Sequence, residues 1–452
     1  MLSISNTNAR IVGKSSIEND DSKLTTMTAL VSILNKRAAV IAADSAVTIT
    51  RGDDTKIINT ATKVFRLSSK SPVGVMIYGS AEFMGIPWSV LFKLYRDKNS
   101  GKSFDTLREY VDDFINFLRH EKNCIDLGNQ LKHLMSQAAQ FYYEIVEQVD
   151  SDYEEAVEKA GSDKVDSKKF ILKCVNDKLK QFDDRCKKRG VGAEFEGYSF
   201  KQFQSFAQVA LEKLEKLCKQ DKTPGAKTKW ERVFYDYIIS KLYIDYAGVV
   251  FVGYGNDEIY PSIVPLELAG FVDDKLRFLI NEDGVRVISN DNEACVCPYA
   301  QTDIMRSLMK GIHPAMYSAV LKKVDESLDS AKQKMIESFA KAGATKKQKE
   351  KLKEIDLKDI SDKFKSEMKS YIQDTFVNGI LDAVEAFNIE DMISMAESLI
   401  SITNLQRHFS LLEESVGGPV DVAVITKSEG FIWVNHKQWF QQEMNPQMLD
   451  KR

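Results

Sequence analysis

Nowhere in these 452 residues do 18 consecutive apolar residues occur; the best runs, such as 38–43 and 247–253, are only as long as a strand. The chain is therefore expected not to span a membrane. Cysteine is sparse, with six residues scattered at positions 124, 174, 186, 218, 295 and 297, too few to staple a secreted fold. A reducing, cytoplasmic compartment fits that usage. There is no basic excess: 62 Lys and Arg against 66 Asp and Glu leave a net charge of −4, which argues against a dedicated nucleic-acid binder. Motifs for metals and cofactors are also missing. The five histidines form no HExxH, Cys295-Val-Cys297 has no second Cys or His pair at zinc spacing, and Gly253-Tyr-Gly255 lacks the glycine and lysine of a phosphate loop. No GxSxG elbow supports a Ser-His-Asp triad. The expectation is no metal and no cofactor.

What is present falls into alternating regimes. Residues 1–27 begin with a Ser-, Asn- and Asp-rich stretch without a secretory apolar core and read as a leader or propeptide. Residues 28–99 read as strands followed by a helix. Ala29, Val31 and Ile33 alternate, Asn35-Lys36-Arg37 makes a turn, and 38–43, 63–67 and 73–78 are short apolar strands. Trp88, Leu91, Phe92 and Tyr95 then take helical spacing. Residues 100–242 are helical, as with Leu107, Val111, Phe114 and Leu118, and break at Thr223-Pro224-Gly225. Strand patterning returns in 243–312, at 247–255, 262–271 and 276–280. Residues 313–374 are helical and charged, with nine lysines between Lys341 and Lys365 interleaved with Glu and Asp, the composition of a solvated face. A helix bearing Val377, Ile380, Leu381, Val384 and Phe387 and two strands, 420–425 and 431–434, complete 375–440, and 441–452 is a tail.

Five strings, taken in order, resemble the proteasome family of N-terminal-nucleophile (Ntn) hydrolases, which includes proteasome β subunits and the bacterial HslV peptidase. They are Thr28-Ala-Leu-Val-Ser-Ile, Val40-Ile-Ala-Ala-Asp44-Ser-Ala-Val-Thr48, Lys63-Val-Phe, Gly79 at a strand end, and Gly417-Gly-Pro-Val-Asp421-Val-Ala-Val-Ile-Thr426. The resemblance covers somewhat under half of the chain. It implies an α+β fold, a four-layer α/β/β/α sandwich, here opened by the two helical insertions at 100–242 and 313–374. It also implies a threonine-type peptidase in which the hydroxyl of an N-terminal threonine attacks an amide carbonyl and its α-amine is the base. Such an amine titrates near pH 8, as a base at neutral pH should. A lysine held by a carboxylate sets the field, and a glycine-turn N–H binds the oxyanion. Carried over, these roles fall to Thr28, Lys63, Asp44 and Gly79.

The sixteen steps from Thr28 to Asp44 match the HslV-like alignment without a gap. Thr28-Ala-Leu-Val is also similar to a string of proteasome α subunits; that register puts Met27 in the nucleophile slot and makes the protein inert. Met27 stands where self-processing members carry glycine, so Thr28 is exposed either by processing or by methionine removal after initiation at Met27. Thr25 and Thr26 lie too far from Asp44. Near the closing strand, Glu413 falls where the family places a supporting aspartate. Val416 takes the place of a supporting serine, with Ser415 one position early. Thr302, before a helix, reads as an N-cap in preference to a supporting hydroxyl.

The expectation is therefore amide-bond hydrolysis by Thr28 after removal of residues 1–27. A catalytically inactive assembly scaffold and a non-peptidase amidase are the alternatives. The resemblance implies a peptide or protein substrate, a homo-oligomer that forms a ring, and an ATP-dependent unfoldase as partner.

Overall fold

The computed structural model describes residues 23–26, 28–51, 54–58, 61–68, 71–99, 101–121, 125–160, 166–221, 223, 225, 227–343, 345, 348, 354, 356–409 and 418–437, with the backbone alone for 23–26, 47–51 and 54–58. It is a mixed α+β structure with antiparallel sheets. The smaller sheet contains β2 (Ala29–Asn35), β3 (Ala39–Ala43), β14 (Ala294–Ala300), β15 (Asp421–Thr426) and β16 (Gly430–Asn435), in the order β14-β2-β3-β15-β16. Every residue of β2, β3 and β15 is buried, which is why these strands read as apolar runs and not as a simple alternation. The β2–β3 turn forms where the sequence places one. Asn35 Oδ1 accepts hydrogen bonds from the Arg37 and Ala38 amides at 2.9 and 3.3 Å, so a short polar side chain stands in for a backbone acceptor.

The larger sheet runs β12-β11-β10-β7-β1-β4-β5. These strands are β1 (Lys23–Thr26), β4 (Val47–Arg51), β5 (Asp54–Ile58), β7 (Val73–Ser80), β10 (Ala247–Gly253), β11 (Ser262–Val272) and β12 (Lys275–Ile280). Short strands β6 (Val64–Arg66) and β13 (Arg286–Val287) pair at its margins, and β8 (Glu82–Phe83) and β9 (Ile86–Pro87) form a separate hairpin. The sequence reading contains neither β1 nor the β4–β5 hairpin. Lys23–Thr26 stands in the segment read as leader, yet it occupies an inner position of the sheet, antiparallel to both β4 and β7.

Leu30, Ile41, Val64, Met76, Val250 and Ile425, drawn from both sheets, share one buried cluster. The other side of the small sheet is covered by α8 (Asp303–Lys310), α11 (Asn378–Ala386) and α12 (Ile389–His408), where Val31, Val40, Met392 and Ile400 pack together. The large sheet is covered by α1 (Trp88–Asn99) and α2 (Leu107–His120), through Phe92, Phe114 and Phe251. Helix α2 thus belongs to the sheet. Its stripe Leu107, Val111, Phe114, Leu118, which the sequence reading assigns to the first insertion, is buried against β10 and β11.

A second, self-contained core begins at α3 (Leu127–Ala160) and continues through α4 (Ser167–Arg189), α5 (Phe200–Phe206), α6 (Gln208–Gln220) and α7 (Lys227–Ile239). By contrast α9 (Pro314–Lys341) has no buried residue, and α10 (Lys358–Ile372) has one, Ser361. Ser361 and Lys365 bind the two oxygens of Asp325, which ties these two helices together. Among the described residues no helix is long and apolar enough to cross a membrane.

Candidate active site

Two of the residues singled out in the sequence, Asp44 and Lys63, form a buried ion pair. Asp44, at the end of β3, accepts through Oδ1 both the Lys63 ammonium at 2.8 Å and the Ala29 amide at 3.0 Å; its own amide donates to the Ala29 carbonyl at 3.1 Å. Its Oδ2 takes the Ala46 amide at 3.3 Å, and Lys63 also donates to the Ala46 carbonyl at 2.5 Å. Thr28 and Asp44 are wholly buried and Lys63 is 1% exposed. A buried ion pair costs desolvation on both sides and persists when extra hydrogen bonds satisfy it, as here. Burial lowers the Lys63 pKa from its ordinary value; the attraction of Asp44 opposes the shift, and the charge of Lys437 adds to it.

The amide next to Thr28 is thus anchored to Asp44, yet the Thr28 hydroxyl, fully buried, has no hydrogen-bond partner among the described residues. A buried orphan hydroxyl costs about 1–3 kcal/mol, so native structures seldom keep one without a use for it. The Thr28 carbonyl accepts the Gln301 amide at 3.1 Å. Ala300, directly opposite Ala29 in the β14–β2 ladder, has φ +59°, a left-handed conformation that disfavours a residue bearing a Cβ.

Gly79, near the end of β7, lies opposite Thr26 in the sheet. Its φ is +88°, and a Cβ there would stand 2.4 Å from the Tyr246 carbonyl oxygen, so only glycine fits. Thr28 and Gly79 line one cavity of about 300 Å3, with Asp245, Tyr246, Ala300 and Gln301 among its other walls. Thr302 occupies the N-cap position of α8, where the sequence reading puts it, although its side chain makes no capping hydrogen bond. Glu413 and Ser415 lie outside the described residues, as does Met27.

A neighbouring charged cluster escapes the sequence reading. Asp421, fully buried on β15 opposite Ala43, receives Lys437 Nζ at 2.8 Å and faces His436 Nδ1 at 3.1 Å. Lys437 also donates to Ser45 Oγ and to the Ala61 carbonyl, bridging the segments that carry Asp44 and Lys63. Burial alone would raise the Asp421 pKa, but the hydrogen bonds from His436 and Lys437 outweigh it and hold the carboxyl below its ordinary value. The signal for this cluster was a lone acid inside an apolar strand, Val420-Asp421-Val422-Ala423. Among the described residues no three His, Cys, Asp or Glu side chains converge as a metal site requires.

No protein-family model matches this chain, and no curated protein matches it.

Proposed function

We propose that the protein is an Ntn hydrolase of the proteasome-like type, a threonine peptidase with the four-layer α/β/β/α sandwich, in which Thr28 becomes the nucleophile once residues 1–27 are removed. The observation that carries this reading is the buried, unpartnered Thr28 hydroxyl beside an amide fastened to the Lys63–Asp44 pair. Because Ala29 N–H is the group that meets Asp44, the geometry supports the ungapped register, with Thr28 and not Met27 in the nucleophile position.

The free α-amine of Thr28 takes the hydroxyl proton as Oγ bonds to the substrate carbonyl carbon. The proton then passes to the leaving amine as the C–N bond breaks, and water hydrolyses the Thr28 ester. Lys63 raises the positive potential at the hydroxyl, Asp44 keeps Lys63 in place, and the Gly79 turn contributes to the oxyanion site. Strand β1 favours the same reading. It enters the sheet between β4 and β7 with its carboxyl end leading to Thr28, so removal of the leader opens a strand-shaped slot in the polarity that an acyl-side peptide needs.

The test is mass spectrometry of the natively expressed chain, followed by labelling with a threonine-reactive epoxyketone. An N-terminus at Thr28 and labelling lost in Thr28→Ala are expected. An intact N-terminus ahead of Thr28 would overturn the reading in favour of an inert scaffold. Turnover of small amides without peptide cleavage would redirect it to an amidase.

A further inference from the structure

We propose that the cavity beside Thr28 binds a cationic substrate side chain, that of Lys or Arg, next to the bond to be cut; this rests on the hydrolase reading and names its substrate class. At about 300 Å3 the cavity lies at the small end of the range for ligand sites, roughly 300–1,000 Å3, which suits one side chain. Among the described residues that line it, Asp245 is the only charged one. Thr28 lines the same cavity.

Aromatic walls add to the carboxylate. Tyr78 lines the cavity, stacks on Tyr299 at 6.0 Å between ring centroids and meets Tyr246 edge-on at 6.3 Å. Room for the Tyr78 ring comes from Gly248 across the ladder, where a Cβ would stand 2.0 Å from the ring. Burial foremost, then the charges of Tyr246 and Glu267, push the Tyr78 hydroxyl well above its ordinary pKa, so the ring stays neutral.

The acidic wall is built by the first insertion. Residues 242–246 follow shortly after α7, and bonds to α3, α7 and β12 help to hold them. Gln140 of α3 donates to Asp245 Oδ2 at 3.1 Å, the Ile244 amide donates to Tyr237 Oη at 3.2 Å, and Arg277 donates to the Leu242 carbonyl at 3.4 Å. Arg277 is tied to this loop. It is buried against the Tyr237 and Tyr243 rings, 4.8 and 5.1 Å from their centroids, and does not line the cavity.

The first test uses the full chain with Thr28→Ala, which cannot turn substrate over, and measures binding of N-acetylarginine amide against N-acetylleucine amide by titration calorimetry or NMR shifts. Arginine amide should bind roughly 10- to 100-fold more tightly. Asp245→Asn, which keeps an acceptor for Gln140, should bring the two near equality, and Asp245→Lys should favour N-acetylglutamate amide. Equal binding of the first pair, or an arginine preference unchanged in Asp245→Asn, would overturn the proposal. The second test compares peptide amides that differ only in Arg or Leu beside the scissile bond, using the chain that begins at Thr28. Cleavage of the leucine peptide alone would overturn the cationic preference while leaving the hydrolase reading intact. Asp245-dependent binding with no cleavage of either peptide would retain the cationic pocket and overturn the hydrolase reading.

Discussion

The two helical insertions draw on the same charged, helix-forming residues and end as opposites. The first packs Phe141, Phe182, Phe203, Trp230, Phe234 and Tyr237 into a core of its own, with Phe141 stacked parallel to Tyr237 and edge-on to Trp230. The second extends as α9 and α10, leaving Met335, Phe339, Ile360 and Tyr371 exposed. Aromatic content decides the difference: large rings bury enough area to offset the entropy of ordering helices, whereas a lysine-rich stretch cannot. A consequence follows for the site. Only a rigid insertion can hold a wall in place, and residues 244–246, which line the cavity with Thr28, are fastened to the first insertion.

The contrast should be widest at Phe141. Phe141→Ala is expected to cost about 3–5 kcal/mol in urea unfolding, by leaving a cavity among packed rings; a cost under about 1 kcal/mol would mean that the first insertion has no independent core. Ion pairs separate the regions next. Asp421→Asn breaks a buried pair at the expense of about 3 kcal/mol at neutral pH. Because the folded Asp421 pKa lies below 3.8, its contribution is complete above that value and is lost as pH falls through the folded pKa. Wild-type and variant unfolding curves should therefore converge in strong acid. Asp325→Asn, between the exposed arm helices, should leave the acid profile unchanged within error.

A smaller effect tests the link from insertion to site. Tyr237→Phe removes the acceptor for the Ile244 amide and the donor to Gln137, for an expected loss of about 1–2 kcal/mol. Amide turnover should fall along with stability, and unchanged kinetics would show that the loop needs no support from α7. The smallest change is expected in the arm, where Phe339→Ala should shift stability by no more than about 0.5 kcal/mol. A loss above about 2 kcal/mol, measured in the same titration, would mean that something covers this face in solution.

Much of the site was legible because its residues sit in short strings with steep physical demands. The Thr28-to-Asp44 interval, Lys63 and Gly79 each appear at the end of an apolar strand, and the fold hydrogen-bonds Lys63 and the amide after Thr28 to Asp44. Lys437 was not legible, since a lysine after the last strand looks like any surface charge; nor was Asp245, which lies between the first insertion and β10. Both acquire meaning through partners far away in the chain, Ser45 and Ala61 for the one, Gln140 for the other. Strand β1 was hidden for a related reason. Lys23-Leu24-Thr25-Thr26 is too short to carry a period, and only the gap between β4 and β7 makes it a strand.

By itself, then, the sequence determined local matters: that 29–35, 39–43 and 73–80 are strands, that Trp88 begins a helix, and where Asn35 turns the chain. Those follow from side-chain periodicity and turn chemistry within a few residues. The tertiary structure alone decided that α2 joins the sheet, that Lys23–Thr26 fills an inner strand position, and that Asp245, held by Gln140 of α3, lines the cavity with Thr28. These depend on pairings across tens to hundreds of residues. Burial and hydrogen-bond satisfaction are settled there by what the rest of the chain brings alongside.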